Sequence, residues 1–400
     1  MGERRWLRRL FVAGAVLVGL VLAFFGLVLA LTAEPAGARA TGPRLERMKQ
    51  SPQWGGAAFT NPWPRVDGPP GQMVQRWITG GSSFAVPDVA LPVEALTSAA
   101  FDAAPADGLR VTWLGHSTMI VEIDGTRVLI DPVWGERASP VSFAGPARWY
   151  APPLPLSELP RIDAIVLSHD HYDHLDVLTV KALAARDLTW VVPLGIGAHL
   201  ESWGVPPDRI TELDWWDEAR VGDLRLTCTP ARHFSGRAAT LADQNATLWS
   251  GWALIGPAHR VFYSGDTAMH DAFVRIGEQL GPFDLTLIES GAYNQMWADV
   301  HLGPEQAVWA HQLVRGELMM PVHWGMFDLA MHGWTEPVER VLAAADRAGV
   351  SVALPRPGGM VEPGVTVPGE RWWPAVPWEP AEQAPVFSSE VASIPGYPGD

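Results

Sequence analysis

The heptapeptide SHDHYDH at residues 168–174 constrains the fold and chemistry of this chain more than any other segment. It follows an apolar run, residues 162–167, that predicts a buried strand. Its metal-capable side chains are His169, His171, Asp173 and His174. Three imidazoles and one carboxylate are too many ligands for a single zinc ion with an open coordination position, so they favour two adjacent metal ions. The alternative interpretation is a solvated His/Asp loop.

Three further metal-capable side chains follow other predicted strands. They are His233, Asp266 and His323. Each lies where an apolar, strand-like stretch breaks, next to a proline, a Ser-Gly pair or a Trp-Gly pair. Taken singly, each is more often a structural residue. Taken with the heptapeptide, they supply the ligands that two metal ions would still need.

The pattern His-x-His-x-Asp-His, followed by His233, Asp266 and His323, resembles the metallo-β-lactamase superfamily over residues 110–360. Within it, the sequence is similar to the N-acyl-phosphatidylethanolamine phospholipase D branch and its bacterial relatives. Supporting segments are residues 112–118, 129–133, 248–252, 291–293 and 301–305. The resemblance implies an α/β fold, an αβ/βα sandwich of two mixed sheets flanked by helices. Residues 288–297 depart from the phospholipase pattern, which lacks the Glu-Ser pair and has an arginine shortly after the tyrosine.

The resemblance also implies a role for each site residue. It assigns His169, His171 and His233 to a first metal, Asp173, His174 and His323 to a second, and Asp266 to both. Such ligands suit two Zn²⁺ ions, with Fe or Mn as alternatives. A hydroxide shared by two cations would attack phosphorus at neutral pH, because metal binding lowers the pKa of water from ~15.7 toward ~7.

Two residues are candidates for catalytic roles, Asp173 and His301. His301 precedes a predicted helix, where it could donate a proton to a phosphate oxygen or leaving group. The alternative is a histidine that caps the helix or belongs to the core. His116 follows a predicted strand, and we expect it to be structural or to support a ligand rather than to bind metal.

The N-terminus carries a second strong signal. Residues 10–33 contain no charge and follow four arginines, and as a helix they would span about 36 Å, enough for a ~30 Å hydrocarbon core. The run is long for a secretory signal, so an uncleaved anchor is favoured over cleavage at Ala38-Arg39-Ala40. Arginines before the span favour a catalytic domain outside the cytoplasm, on a bacterial inner membrane. Cleavage would instead give a secreted or periplasmic protein.

The distribution of charge argues against nucleic acid as a partner. The total of −15 and the +3 of residues 1–33 leave −18 on residues 34–400, which would repel a phosphate polymer. The expected partners are a lipid or small phosphodiester substrate and the membrane, and a homodimer is compatible with the sequence. The one cysteine, Cys228, excludes an internal disulfide.

The sequence predicts four segments. They are a basic stub with an anchor or signal segment at 1–33, an N-terminal extension at 34–108, a catalytic domain at 109–365 and a Pro/Trp-rich tail at 366–400. Strand-like stretches at 109–123 and 126–131 flank Asp124-Gly125, which is typical of a hairpin turn. Further strands are predicted near Val191, Val221, Leu248, Val261, Leu285, Leu318 and Val352, and helices at 178–185, 304–313 and 338–348.

Together these features favour a membrane-associated, dinuclear metal-dependent hydrolase. We expect a phosphodiesterase that acts on a phospholipid-like substrate through a metal-bound hydroxide. One alternative is a lactonase or other ester hydrolase of the same fold, and another is a non-catalytic metal-binding scaffold. The intact set of seven ligands argues against the scaffold, because a decayed site usually loses ligands first.

Overall fold

The computed structural model describes residues 2–69, 71, 75 and 80–396. Parts of the predicted anchor segment, extension and tail, at 1, 70, 72–74, 76–79 and 397–400, therefore lie outside the described residues. The helices are α1 (Gly2–Ala36), α2 (Gly42–Met48), α3 (Val177–Leu183), α4 (Ile196–Ser202), α5 (Ala272–Gln279), α6 (Pro304–Leu313) and α7 (Glu336–Ala348).

The part of the chain that the structure describes also contains fourteen strands. The first seven are β1 (Leu109–Gly115), β2 (Thr118–Ile123), β3 (Thr126–Ile130), β4 (Ala164–Val166), β5 (Thr189–Pro193), β6 (Ile210–Leu213) and β7 (Glu218–Val221). The others are β8 (Leu224–Thr229), β9 (Gly251–Ile255), β10 (Arg260–Tyr263), β11 (Phe283–Glu289), β12 (Gly316–Val322), β13 (Ser351–Val352) and β14 (Met360–Val361).

The strands form two seven-stranded sheets, in the orders β14-β1-β2-β3-β4-β5-β6 and β13-β12-β11-β10-β9-β8-β7. In each sheet one half is antiparallel and the other half parallel. The pairing is antiparallel from β14 to β3 and from β7 to β10. It is parallel from β3 to β6 and from β10 to β13. The predicted pair of mixed sheets flanked by helices is confirmed.

The core lies between the two sheets and on their outer faces. Because side chains alternate along a strand, Val261 and Tyr263 of β10 belong to the cluster between the sheets, whereas Phe262 packs outward among residues of α5 such as Phe273. In β4, Val166 likewise faces the inner cluster, and its neighbour Ile165 belongs to the outer cluster that includes α3 and α4. The result is a layered α/β/β/α sandwich.

Several predicted boundaries differ from the observed ones. The stretch 109–123 is two strands, because the ladder shifts register at Gly115 and His116 adopts a left-handed φ of 52°. Val221 ends β7 instead of opening a long strand, since Gly222 turns the chain with a φ of 57°. The strand predicted near Leu248 is β9, which begins three residues later at Gly251, because the amide of Leu248 donates to the carbonyl of Leu194 in a loop.

The predicted helices agree with the structure to within a few residues. The helix at 304–313 has the observed bounds of α6, with proline at its first position. The helix predicted at 338–348 begins two residues earlier, and the one predicted at 178–185 ends two residues earlier.

Strand direction decides where the loops meet. In the first sheet β1, β3 and β4 run in the same direction, and in the second sheet β8, β10, β11 and β12 do so. Strands that run the same way end at the same edge of a sheet. The segments after these seven strands therefore converge, and they carry the predicted metal ligands.

Candidate metal centre

The structure brings all seven predicted ligands together at the ends of these strands. The heptapeptide follows β4, His233 follows β8, Asp266 follows β10 and His323 follows β12. Their ligand atoms fall into groups whose members lie within 4.8 Å of one another. The turn that carries Asp266 requires a glycine beside it. Gly265 has a φ of 59°, and a Cβ there would collide with the carbonyl of Ser250.

The first group consists of His169, His171, His233 and Asp266. Nε2 of His169 lies 2.8 Å from Nδ1 of His171, which lies 3.2 Å from Nε2 of His233. A tetrahedral zinc ion with Zn–N distances of 2.0–2.1 Å would separate its nitrogen ligands by about 3.4 Å. The 3.2 Å separation is close to this value and the 2.8 Å separation is shorter, so the three nitrogens converge on one point where an ion could bind.

The second group consists of His116, Asp173, His174 and His323. Oδ2 of Asp173 lies 3.4 Å from Nε2 of His174 and 3.3 Å from Nε2 of His323. Nε2 of His116 approaches the same oxygen at 3.0 Å. We expected His116 to be structural or to support a ligand, and the structure places its ring in direct contact with Asp173.

Asp266 lies between the two groups. Its Oδ2 is 3.8 Å from Nε2 of His169 in the first group. The same atom is 3.2 Å from Nε2 of His174 and 3.0 Å from Nε2 of His323 in the second. One carboxylate is thus within reach of both ligand sets, which is the geometry that a bridging ligand requires.

Hydrogen bonds on the outer side of the rings fix which nitrogen faces the centre. Nδ1 of His174 bonds to Oδ2 of Asp131 at 2.7 Å, and Nδ1 of His233 bonds to the carbonyl of Val300 at 2.7 Å. Metal-binding histidines commonly have such a partner on their other ring nitrogen, because it sets the tautomer and the ring orientation. Both Nε2 atoms are thereby directed toward Asp266.

Two buried carboxylates of this site were missed from the sequence. Asp131 directly follows β3, and Glu289 ends β11. Both are fully buried. The signal that could have found them is the same one that found Asp266, namely an acidic residue at the end of a buried strand.

Glu289 holds His301 at the rim of the centre. Its Oε2 lies 2.8 Å from Nδ1 of His301, and its Oε1 accepts the amides of Thr267 and Leu302 at 2.7 and 3.1 Å. The alternative that His301 caps α6 is wrong, because the N-cap is Gly303, which has no side-chain cap. His301 keeps 13% of its side chain exposed, whereas the metal-facing His174 has none.

Burial and mutual charge shape the protonation of the centre. Burial, reinforced by neighbouring histidines, holds the pKa of His169 well below 6.5, so its ring is neutral and its lone pair can bind a cation. Burial alone would raise the pKa of Asp266, but His174 and His323 hold it well below 3.8. Burial would lower the pKa of His323, but Asp266 and Asp173 raise it to about 10.

The residues fit a metal centre by their chemistry. Zinc binds ionised carboxylates and neutral imidazoles, so a cation bound here would displace the proton that Asp266 and Asp173 stabilise on His323. Among the residues that the structure describes, Oδ1 of Asp266 is buried and has no hydrogen-bond partner. A buried carboxylate oxygen normally has a partner, and a cation in this cluster would provide one.

The fold and the His/Asp cluster together define a class of metal-dependent hydrolases. A family model described as a beta-lactamase superfamily domain matches residues 126–324. An uncharacterised protein of Mycobacterium tuberculosis is 46% identical over 362 residues, which cover 88% of this chain and 94% of that protein. The chain belongs to the metallo-β-lactamase superfamily and is a metal-dependent hydrolase of that superfamily.

Within this superfamily the chain is similar to one named group. The N-acyl-phosphatidylethanolamine-hydrolyzing phospholipase D 1 of Caenorhabditis elegans is 41% identical over 254 residues, covering 60% of this chain and 70% of that protein. The solved structure of an isothiocyanate hydrolase from Delia radicum gut bacteria superposes with a TM-score of 0.51 at 20% identity, covering 63% of this chain and 98% of that one. At that identity the second likeness bears on the fold alone.

Proposed function

We propose that the protein is a membrane-anchored phosphodiesterase that uses two divalent metal ions to hydrolyse a phospholipid-like substrate. The observation that carries this proposal is the position of Asp266, whose Oδ2 lies 3.8 Å from Nε2 of His169 in the first group and 3.2 and 3.0 Å from Nε2 of His174 and His323 in the second. The relative in Caenorhabditis elegans is named for hydrolysis of N-acyl-phosphatidylethanolamine, which supports a lipid phosphodiester as the substrate.

Six of the seven ligands would each bind one ion, and Asp266 would bind both. His169, His171 and His233 would hold the first ion, and Asp173, His174 and His323 the second. His116 would keep the carboxylate of Asp173 in place through its 3.0 Å contact. Zinc suits this donor set, and iron or manganese could bind similar ligands. When bound, the two cations supply Lewis-acid stabilisation of phosphate oxygens and activation of water at neutral pH.

His301 is the residue that we assign to proton transfer. Glu289 fixes its Nδ1 at 2.8 Å, so Nε2 is the nitrogen left to give a proton to the departing alkoxide. The partial exposure of the ring allows contact with a bound substrate. Glu289 would act as a positioning residue, since it is fully buried behind the histidine.

Membrane anchorage is proposed through α1. Among the described residues, the helical stretch Arg9–Ala36 is long enough and apolar enough to cross a bilayer. Its most apolar 18 residues have a mean hydropathy of 2.8, and none of them is buried. A signal segment meets the same criterion. The preceding arginines favour a cytoplasmic N-terminus and a catalytic domain, proposed at 109–365, on the outer side.

Hydrolysis in ¹⁸O-enriched water tests the proposed bond. The zinc-loaded full-length protein should cleave a phospholipid phosphodiester and place the label in the phosphate product, because water attacks phosphorus. Label in the alcohol would mean attack at carbon and would overturn the mechanism. Lactone hydrolysis without phosphodiester hydrolysis on a matched substrate panel would overturn the substrate class while leaving the metal centre intact.

A further inference from the structure

The segment that follows the apolar helix is fixed to the catalytic domain. The indole nitrogen of Trp203 donates to the carbonyl of Glu34 at 2.9 Å. The amide of Ala38 donates to Nδ1 of His199 at 3.1 Å, and His199 is buried. The end of the helix therefore continues into the domain without a flexible linker, and the position of the helix determines which face of the domain lies nearest to it.

The length of the helix places this junction in the headgroup layer of a bilayer. Residues 10–31 would span about 33 Å, which fills a ~30 Å hydrocarbon core. Glu34 lies three residues farther, about 4.5 Å along the axis. The headgroup layer is about 5–7 Å thick on each side. Lys181 of α3 pairs with Glu34, so α3 lies at the same depth.

Two exposed leucines flank this junction. Leu178 is 67% exposed and stands three residues before Lys181, hence on the same face of α3. Leu241 is 75% exposed, and the carbonyl of its neighbour Ala242 accepts from the guanidinium of Arg39. Apolar side chains and cations side by side match the chemistry of a bilayer surface, which offers acyl chains and phosphates.

Leu241 also has an unusual backbone conformation. Its φ is 56°, in the left-handed region that is unfavourable for a residue with a branched side chain. Asparagine or glycine would occupy such a turn more readily. A leucine that is strained and also largely exposed contributes little to the fold, and contact with a bilayer would give its side chain an apolar environment.

We propose that Leu178 and Leu241 form a bilayer-contact surface, and that the docked segment holds the catalytic domain in one orientation on the membrane. This inference rests on the membrane anchorage proposed above. The surface lies close to the metal-binding loop: Arg237 donates from Nε to the carbonyl of Pro35 at 3.0 Å and from Nη1 to the carbonyl of Leu175 at 2.8 Å. One side chain thus connects the helix end with the loop that carries the heptapeptide.

Depth measurements on the full-length protein test this surface. Leu178→Cys and Leu241→Cys are labelled with the fluorophore NBD in phosphatidylcholine/phosphatidylglycerol vesicles, where the buried Cys228 should not react. Val365→Cys is the matched control, because Val365 is 57% exposed and follows β14. This control lies far from the proposed surface. The segment 34–49 contacts Glu212 of β6, which is six strand spacings, or about 29 Å, from β14.

The expected result is a blue-shifted NBD emission at 178 and 241 that lipid-borne nitroxide quenches, while the label at 365 is quenched only by aqueous iodide. Flotation in a density gradient reports membrane attachment separately. If the protein floats with the vesicles but the three labels show the same emission and quenching, the contact surface is refuted and the anchorage stands. If the protein does not float, both the anchorage and the inference are refuted. A blue shift that lipid-borne nitroxide does not quench would indicate a second copy of the chain and would also refute the inference.

Discussion

The contact between Asp131 and His174 yields the sharpest prediction about the metal centre. The carboxylate of Asp131 accepts the amide and the hydroxyl of Ser168 at 2.7 and 2.5 Å, and the hydroxyl of Tyr263 at 2.6 Å. It bonds to Nδ1 of His174 at 2.7 Å. We predict that Asp131→Asn weakens metal binding although Asp131 binds no metal itself.

The magnitude follows from these four hydrogen bonds. Asparagine has the same shape but keeps one acceptor oxygen and presents N–H groups where the second oxygen was. At least one donor then faces another donor, and a hydrogen bond to a charged group contributes about 1.5–3 kcal/mol. Losing the outer partner of a metal-binding histidine typically costs 10–100-fold in metal affinity, which is about 1.4–2.8 kcal/mol. We expect a loss in that range.

Competition with a chromophoric chelator measures this loss in detergent-solubilised full-length protein. Asp124→Asn is the matched control, because Asp124 forms a carboxylate–histidine pair with His259 at the same distance, 2.7 Å, in the turn between β2 and β3. The control should keep wild-type affinity. Wild-type affinity in Asp131→Asn, or an equal loss in both variants, would refute the positioning role of Asp131.

Three further predictions concern the site and its support. Asp266→Ala should abolish activity and reduce the content of both ions in elemental analysis, whereas loss of one ion alone would contradict a bridging role. His301→Ala should lower turnover with intact metal content, and unchanged turnover would return it to a structural role. Trp373→Ala should destabilise by about 3–5 kcal/mol in urea unfolding because the ring is buried, and Trp378→Ala, at a half-buried ring, should cost less.

The seven proposed metal ligands could be located from the sequence because each combines a metal-capable side chain with a local signal. An apolar run followed by histidines or an aspartate indicates a strand end, and the strand end is where the fold gathers its loops. Apolar alternation likewise located most of the strands. The strand predicted near Leu248 begins only at Gly251, because the amide of Leu248 pairs with Leu194 in a loop although its neighbours are as apolar as those of a strand. An apolar pattern predicts that a residue is buried, but it does not show whether its amide bonds to a neighbouring strand or to a loop.

What the sequence could not provide is which strands are neighbours. Glu289 approaches Asp266 because β10 and β11 pair in parallel with Tyr263 opposite Leu287. This register places Asp266 three residues past Tyr263 and Glu289 two residues past Leu287. Both carboxylates therefore lie at the same edge of the sheet. A single sequence contains no signal for this pairing, so an acidic residue at a strand end marks Glu289 as a candidate but does not show that it lies beside Asp266. The same holds for Asp131, whose partner His174 follows the neighbouring strand.

The two missed carboxylates bear on the role of His301. Asp131 holds His174, and Glu289 holds His301, each through Nδ1. The two pairs differ in exposure, because the side chain of His174 is fully buried whereas 13% of the His301 side chain is exposed. A proton donor must touch the leaving group, while a metal ligand needs no solvent contact. The same carboxylate–imidazole arrangement therefore suits metal binding at His174 and proton transfer at His301.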